Sequence, residues 1–415
     1  MNTVTALALR AVTVEVDSPA VAEHLLQHTS STHPLVWIRR GEGFVGWGEA
    51  LRWEFSGPDR FTRAATLWRE TVAASTVTDP VSLPGTGLVA FAAFAFSPSS
   101  SRTSTLIVPR IVVGSRGGRT WVTTIDPADG TDEATATATP VDDSDLALSF
   151  TPGAMSADAY RSAVADAIGR IEAGEVEKVV LARDLVSPIS PGADLRGPLA
   201  KLAMGYPDCW TFAVDGLIGS SPEMLVRVAS GTLQARVLAG STARGATAAE
   251  DTAAALALVT SEKDRDEHGF AVRSVLRAFA PHTSSLVASE IPFALKLPNL
   301  WHLASDVEGC LADSSNSIDL IDAAHPTAAV AGSPTAAAIS IIDELEPFDR
   351  GRYAGPVGWI DEEGNGEWAV ALRCAQVDVG TLTAYAGAGI VAGSVPASEL
   401  AETAMKFRPV VDAFD

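Results

Sequence analysis

A short, apolar, β-branched run begins directly after Lys178 and continues to Ala182. Such a run predicts a buried strand, which would draw the lysine at its start out of water. Burying a lysine is costly, and desolvation favours the neutral amine, which can act as a general base. The alternative is a lysine at a strand end whose amine reaches solvent along its flexible stem. Taken alone, the segment favours that alternative.

The balance of charge restricts the partners. The 415 residues carry a formal net charge of -21, and 47% of them are hydrophobic, enough for a large core. Nucleic acid and anionic membrane surfaces both require a basic face, so neither is expected as a partner. An anionic substrate would need local compensation, from a divalent cation or from a few Arg and Lys side chains.

The three cysteines, Cys209, Cys310 and Cys374, are widely spaced, and no CxxC motif occurs. This pattern favours a reducing, cytoplasmic compartment. Residues Met1 to Arg10 lack the basic start and the apolar run of a signal peptide, and no apolar stretch reaches membrane-spanning length.

The clearest shift in composition falls at Asp126 to Asp145, which is acidic, polar and Thr-rich and is typical of a linker. Before it lie short β-like runs such as Leu35–Ile38 and Trp121–Ile125. We therefore divide the chain into a variable part, residues 1–145, and a site-bearing part, residues 146–415.

The second part mixes helices and strands without a strict βαβ repeat, which favours a large α+β or layered α/β fold with antiparallel pairing. Ser156 is a candidate N-cap for a helix that continues to about Gly174. Further predicted helices are Ala253–Ala278, Pro334–Leu345 and Pro396–Lys406, and further predicted strands are Gly216–Ile218, Trp368–Leu372 and Leu382–Tyr385.

Two pairs of carboxylates have helical spacing. Asp264 and Glu267 are three residues apart, as are Glu399 and Glu402, so each pair would share a helix face. Mg²⁺ prefers such oxygen ligands and usually keeps several waters. The alternative is two solvated acidic faces, which the residues alone favour in a chain with 51 acidic residues. Zinc is not expected, because His268 has no second histidine at ligand spacing.

Glu223 follows Ser220-Ser221-Pro222 at a predicted strand-to-loop corner. A carboxyl group there can be a general acid if partial burial raises its pKa. The alternatives are an ordinary loop glutamate or a charge that interacts with a helix dipole.

Several residues near the C-terminus suit an anionic ligand. The planar fork of Arg373 matches a carboxylate, although a surface salt bridge is the alternative. Lys406 lies one turn after Glu402 and could meet either that carboxylate or a ligand. Gly387 and Gly389 follow a predicted strand, where missing side chains allow close approach of the backbone.

The segment Gly387 to Ala392 also fits the dinucleotide fingerprint G-x-G-x-x-G/A, which would indicate a nicotinamide-dependent oxidoreductase. That fingerprint belongs in a βαβ unit, and Pro396 interrupts any immediate helix. We therefore reject this class. The sequence contains no phosphate-binding P-loop either.

These motifs occur together in one order, and the chain from about residue 150 to 415 resembles the chorismate-utilising enzymes, in particular the isochorismate synthases. The resemblance is carried by Glu177-Lys178, Gly219–Glu223, Leu238–Ser241, Ser261–His268, Asn299–Leu303, His325–Thr327, Gly364–Trp368, Arg373, Tyr385–Val391 and Glu399-x-x-Glu402-x-x-x-Lys406. The segment His325 to Gly332 departs from the family's usual pattern by lacking one proline and one glycine, but it keeps Ala329 and Val330 at apolar positions.

The resemblance implies a four-layer α/β (α+β) fold, with two large, mainly antiparallel sheets packed together and helices outside. It also implies Mg²⁺-dependent, reversible conversion of chorismate to isochorismate, with Lys178 as base and Glu223 as acid. Glu267 and Glu402 match metal ligands, and Asp264 and Glu399 match auxiliary positions. The residues that match substrate contacts are Ser241, His302, His325, Ala329, Arg373, Gly387 and Lys406.

Three alternatives remain at this point. A salicylate synthase would share these residues and would also eliminate pyruvate. A silent scaffold of the same fold is disfavoured by the retained Lys178 and Glu223. The amine-forming relatives generally lack the lysine and pair with an amidotransferase, so no amidotransferase partner is expected. The resemblance is compatible with either menaquinone or siderophore synthesis.

Overall fold

The structure is a computed structural model that describes residues 7–18, 21, 23–128, 138–142, 145–298 and 300–415, without the side chains of Lys263 and Glu267. The helices are α1 Arg60–Ala74, α2 Ala157–Glu172, α3 Arg196–Gly205, α4 Ala248–Thr260, α5 Glu262–Phe279, α6 Ser317–Ala324, α7 Thr335–Leu345 and α8 Pro396–Phe414, with single 3₁₀ turns at Leu25–His28 and Ala280–His282.

The strands before the polar stretch are short. They are β1 Leu9–Glu15, β2 Leu35–Arg39, β3 Glu42–Trp47, β4 Leu51–Phe55, β5 Thr76–Thr78, β6 Val89–Ala93, β7 Ser104–Val108, β8 Ile111–Arg116 and β9 Arg119–Pro127.

The later strands include four of ten or more residues. The full set is β10 Thr151–Pro152, β11 Lys178–Pro188, β12 Trp210–Val214, β13 Leu217–Ser221, β14 Met224–Ala229, β15 Thr232–Ala243, β16 Thr283–Ala288, β17 Phe293–Lys296, β18 Leu300–Leu311, β19 Gly332–Ser333, β20 Pro356–Asp361, β21 Gly366–Val370, β22 Cys374–Asp378 and β23 Thr381–Ile390.

In the described part of the chain these strands form two large sheets. The first has 13 strands in the order β10-β11-β23-β22-β13-β12-β2-β3-β8-β9-β1-β5, with β19 beside β11. The second has 10 strands in the order β16-β18-β15-β14-β21-β20-β6-β7-β4, with β17 beside β18. The pairing is antiparallel except between β1 and β5. Both sheets contain strands from each side of residue 145.

The main core fills the space between the sheets. Phe44 of the first sheet contacts Phe91 and Trp359 of the second edge-on, each with ring centroids 5.3 Å apart. The other face of the first sheet, with Val36 and Ala384, packs in a second apolar cluster with α3 and α8. Helix α5 packs on β15 and β18 of the second sheet. The predicted arrangement of two packed sheets with helices outside is confirmed.

Two neighbouring connections carry the chain from one sheet to the other. Strand β13 belongs to the first sheet and β14 to the second, with Pro222 and Glu223 between them. Strands β21 and β22 make the reverse passage through the segment that ends at Arg373. Because β13 pairs with β22 and β14 with β21, the two crossings lie side by side.

Several predicted elements match the structure. Ser156 caps α2 and accepts a hydrogen bond from the Ala159 amide, and strand β11 starts at Lys178 as predicted. Strand β23 pairs antiparallel with β11 and with β22, which excludes the parallel βαβ unit of a dinucleotide fold. The predicted linker is covered only in part, because residues 129–137 and 143–144 lie outside the described residues.

Other boundaries were wrong. The predicted helix Ala253–Ala278 is two helices, because Ser261 has extended backbone and its hydroxyl caps α5 at the Asp264 amide. The C-terminal helix does not stop at Lys406 but continues to Phe414. Gly387 and Gly389 lie inside β23 rather than after it. None of the described helices is long and apolar enough to cross a lipid bilayer.

A hydrogen bond between the sheets gives a test of the fold. The buried Trp37 Nε1 donates to Glu367 Oε2 at 2.8 Å. A hydrogen bond to a charged group contributes roughly 1.5–3 kcal/mol, so we expect Trp37→Phe to lower the free energy of unfolding by about that amount. Urea denaturation would measure it, with Trp47→Phe at a 37% exposed position as the control. An equal loss in both variants would contradict this assignment.

Candidate active site

A pocket opens where the two sheet crossings meet strands β11 and β23. It encloses about 860 Å³, including its open mouth, which is within the usual range for a small-molecule site. Its lining comes from the crossings, from strands β11, β15 and β23, and from helices α5 and α8. Residues far apart in sequence therefore converge on one cavity.

Strands β11 and β23 form one wall of the pocket. Val180 lies opposite Gly389 in the ladder, and both line the cavity. Lys178 is two residues before Val180 and therefore points to the same face of the sheet. It is only 1% exposed. A Cβ at Gly387 would lie 3.0 Å from the Tyr353 hydroxyl, so the glycine keeps this wall open.

Glu223 is buried at the first sheet crossing and lines the pocket. The crossing is fixed by the Ser221 hydroxyl, which donates to Val370 O at 2.6 Å, and by the Val370 amide, which donates to Glu223 O at 3.1 Å. Burial raises the pKa of Glu223 to about 8, although the positive charges of Lys178, Arg373 and Lys406 oppose the rise. The carboxyl group therefore holds a proton near neutral pH.

Arg373 is buried at the second crossing, with a left-handed backbone (φ 48°). Its Nη2 donates to Nε2 of His302 at 3.1 Å. Burial holds the pKa of His302 well below its usual range, and the charges of Arg373 and Lys406 lower it further. The ring is therefore neutral, and it can accept from Arg373 while it bonds the Gly240 backbone.

Helix α8 brings a second cation into the pocket. Lys406 Nζ lies 2.6 Å from Glu402 Oε1 and donates to Gly387 O at 2.9 Å. Burial would raise the pKa of Glu402, but Lys406 and a hydrogen bond from Ser241 outweigh it, so the pKa is lowered. Glu402 is therefore an anion in a pocket that also contains cations.

A bulge in β15 shapes the opposite wall. The register of β15 against β18 shifts between Leu238 and Ser241, and Gly240 has φ 82°. A Cβ at Gly240 would lie 3.2 Å from the Asp264 Cβ. The bulge thus brings Ser241 and the start of α5 to the pocket, which Asp264 also lines.

The carboxylates suit a hard cation. Asp264, Glu399 and Glu402 line the same cavity. The side chain of Glu267, one turn after Asp264 in α5, lies outside the described residues. Among the described side chains, no three His, Cys, Asp or Glu residues are close enough to form a metal cluster. Mg²⁺ needs only one or two carboxylates and keeps its waters, so this donor set fits it.

The structure brings together most of the predicted site residues. The pocket is lined by Glu223, Ser241, Asp264, His302, Ala329, Arg373, Gly387, Glu399, Glu402 and Lys406. Lys178 is not among the lining residues, but it is buried in β11 two residues before Val180 and lies close enough to Glu223 to influence its pKa.

His325, a predicted substrate contact, does not lie among the residues that line the pocket. Its ring shares a hydrogen bond of 2.9 Å with Phe96 O and packs edge-on against Phe61 and Phe96. Burial lowers its pKa to about 3. It borders a different cavity, whereas Ala329 and Val330 of the same loop line the pocket. The histidine therefore anchors the loop that lines the pocket, and its contact with a substrate stays a prediction.

Sequence reasoning missed Tyr353, which lines the pocket from the segment before β20 and stacks on Tyr385 with ring centroids 5.3 Å apart. Desolvation raises its pKa. It belongs to an irregular segment with no periodic pattern, so only the tertiary structure reveals it.

Comparison with known proteins gives one consistent result. The family model described as "Chorismate binding enzyme" matches residues 7–415. The isochorismate synthase DhbC of Bacillus subtilis is 39% identical over 270 residues, which is 61% of this chain and 67% of that protein. The salicylate biosynthesis isochorismate synthase of Pseudomonas aeruginosa is 32% identical over 406 residues, covering 91% of this chain and 84% of that one.

A solved structure has the same fold. DhbC from Bacillus anthracis, provisionally named a 2,3-dihydroxybenzoate-specific isochorismate synthase, superposes with a TM-score of 0.78 at 30% identity. The match covers 95% of this chain and 100% of the other.

The raised pKa of Glu223 predicts a pH dependence of stability. Protonation of Glu223 stabilises the fold fully below its unfolded pKa of 4.5, and this contribution is lost as the pH rises through about 8. The corresponding slope is at most about 1.4 kcal/mol per pH unit. Glutamine cannot ionise, so we expect Glu223→Gln not to lose this stability. The free energy of unfolding of the variant, minus that of the wild type, should therefore increase from pH 5 to pH 8. Urea titrations at several pH values would measure both free energies, and a difference that stays constant with pH would contradict the raised pKa.

Proposed function

This chain belongs to the chorismate-binding enzymes, and on that premise we propose that it is an isochorismate synthase. The observation that carries the proposal is a pocket lined by a protonated glutamate, with a buried lysine on the strand that forms one of its walls. Two cations, Arg373 and Lys406, lie in the same cavity. Exchanging one hydroxyl group for another requires such a base and acid, together with cations for the substrate's carboxylates.

The proposed reaction needs a base and an acid beside the same substrate. Lys178 takes a proton from a water that attacks C2 of chorismate. The ring double bonds shift, and the C4–oxygen bond breaks as Glu223 gives its proton to the departing hydroxyl group. One water enters and one leaves. Lys178 then loses its proton and Glu223 regains one, so the enzyme returns to its starting state.

Two further side chains bind rather than react. Arg373 can hold a carboxylate with its planar fork, since neutral His302 occupies only one of its donors. Lys406 can turn from Glu402 to a ligand's carboxylate, as its stem is flexible. The apolar side chains of Ala329 and Val330 fill the space beside them.

Mg²⁺ is part of the proposal. Glu402 and Glu267 would hold the ion, with Asp264 and Glu399 in support through waters. When bound, the ion supplies positive charge that balances a dianionic substrate in a protein of net charge -21.

The reaction product distinguishes an isochorismate synthase from a salicylate synthase and from the amine-forming enzymes. We expect purified protein to convert chorismate to isochorismate, to run in reverse from isochorismate, and to release little pyruvate.

We expect Lys178→Ala to lower kcat by about 10²- to 10⁴-fold, the usual range for a general base, without loss of fold. Chromatography with a coupled pyruvate assay would measure this, with the surface variant Lys201→Ala as control.

Each result that differs from these expectations would indicate a different conclusion. Stoichiometric pyruvate and salicylate would indicate a salicylate synthase, and an aminated product with ammonium would mean that water is not the nucleophile. Wild-type turnover by Lys178→Ala would remove the lysine from the mechanism. No turnover of chorismate by the wild type would overturn the function itself.

Metal dependence is a separate prediction. We expect EDTA to abolish turnover, Mg²⁺ to restore it, and Glu402→Gln or Glu267→Gln to respond only to much higher Mg²⁺ concentrations. Titration of activity against Mg²⁺ measures this. Glu344→Gln, which changes an exposed glutamate in a surface ion pair, is the control. Full activity in the presence of EDTA would contradict the proposal that the reaction requires Mg²⁺.

A further inference from the structure

A buried ion pair lies beside the strand that carries Lys178, outside the pocket. Arg350 Nη2 lies 2.6 Å from Glu346 Oε1, and Arg350 Nε donates to Glu346 Oε2 at 2.8 Å. The two side chains are only 3% and 1% exposed. Neither lines the pocket. A buried ion pair is weak evidence for stability by itself, so its other contacts decide what it does.

Strand β11 has an incomplete edge opposite β23. Strand β19 pairs with its first two residues, and the Val180 amide donates to Ala331 O at 2.9 Å. Strand β10 pairs only further along, at Leu185 and Val186. Between these partners, the buried Val180 carbonyl and Ala182 amide face no strand of the described part of the chain.

The ion pair fills this gap. Arg350 Nη2 donates to Val180 O at 2.8 Å, and the Ala182 amide donates to Glu346 Oε1 at 2.7 Å. Each group thus gains the partner that a neighbouring strand would give it. Two charged side chains replace one missing stretch of the ladder.

The same guanidinium also reaches the loop on the other side. Arg350 Nη1 donates to Val330 O at 2.9 Å. Val180 and Val330 both line the pocket, and Lys178 lies on the same face as Val180. Arg350 therefore joins two pocket walls to each other and fixes the strand that carries the lysine.

We propose that Arg350 and Glu346 are positioning residues, which set the place of Lys178 and of the Val180–Val330 wall by acting as a substitute strand. This inference rests on the proposed function for its kinetic readout. The fork of arginine is essential to it, because three acceptors must be reached at once in fixed directions. A lysine offers one nitrogen on a flexible stem and cannot reach all of them.

The test compares Arg350→Lys and Glu346→Gln with the matched control Arg196→Lys. Arg196 is also buried, pairs with Asp194 at 2.6 Å and donates to the carbonyl oxygens of Thr139 and Pro140. It lies outside the pocket lining, at the start of α3. Its replacement therefore causes a similar loss of buried hydrogen bonds away from the site.

We expect Arg350→Lys to lower kcat by about 10- to 100-fold, since a misplacement of about 1 Å can cost 10²-fold in rate, and to change KM by less than about threefold. Glu346→Gln, which can still accept from the Ala182 amide, should show a smaller loss of kcat. Hydrogen–deuterium exchange at residues 178–186 should become faster in both variants. Arg196→Lys should leave kcat and this exchange unchanged at a temperature below its melting point.

The outcomes separate the two proposals. If the wild type does not turn over chorismate, the function fails, and exchange at residues 178–186 still tests the substitute strand. If Arg350→Lys keeps wild-type kcat and exchange, the positioning role is wrong. Equal loss of kcat in Arg196→Lys, or loss of the fold in both test variants by circular dichroism, would show a purely structural role and overturn the inference.

Discussion

The site depends on two neighbouring passages of the chain between two packed sheets. At both passages the chain turns between the sheets, where its side chains are largely buried. Glu223 and Arg373 occupy these turns. Burial raises the pKa of the carboxyl group to about 8, while the guanidinium retains its charge beside a neutral histidine. The contrast between a protonated acid and a fixed cation follows from this topology.

The rest of the pocket compensates buried charge. Glu402 has Lys406 and Ser241 as partners, and Lys406 also bonds the Gly387 carbonyl. A buried charge without a partner would be strongly destabilising, so these pairs let the pocket exist before any ligand arrives. In the proposed function, the same groups would be ligands for a cation and donors for carboxylates. When a ligand binds, the charged side chains of the pocket would therefore exchange one partner for another, and no charge would become buried without a partner.

The supports of the site lie outside it. His325 holds the loop that carries Ala329 and Val330, and the Arg350–Glu346 pair completes the edge of β11. The sequence pattern does not distinguish these supporting residues from residues that line the pocket. The histidine was expected at the ligand because it belongs to a motif. Its ring instead satisfies a backbone carbonyl, because a buried carbonyl needs a donor.

The sequence by itself determined the elements and the chemistry available. The apolar run after Lys178 predicted β11, Ser156 predicted the start of α2, and motif order predicted the family and most pocket residues. These signals are local, since strand and helix patterns and caps depend on neighbouring residues. The cap at Ser261, which separates two helices, is also local, and the sequence pattern was read across it. Only the tertiary structure decided that Tyr353 enters the pocket and that Arg350 bonds the edge of β11. These two outcomes depend on contacts between distant segments, which no local pattern encodes.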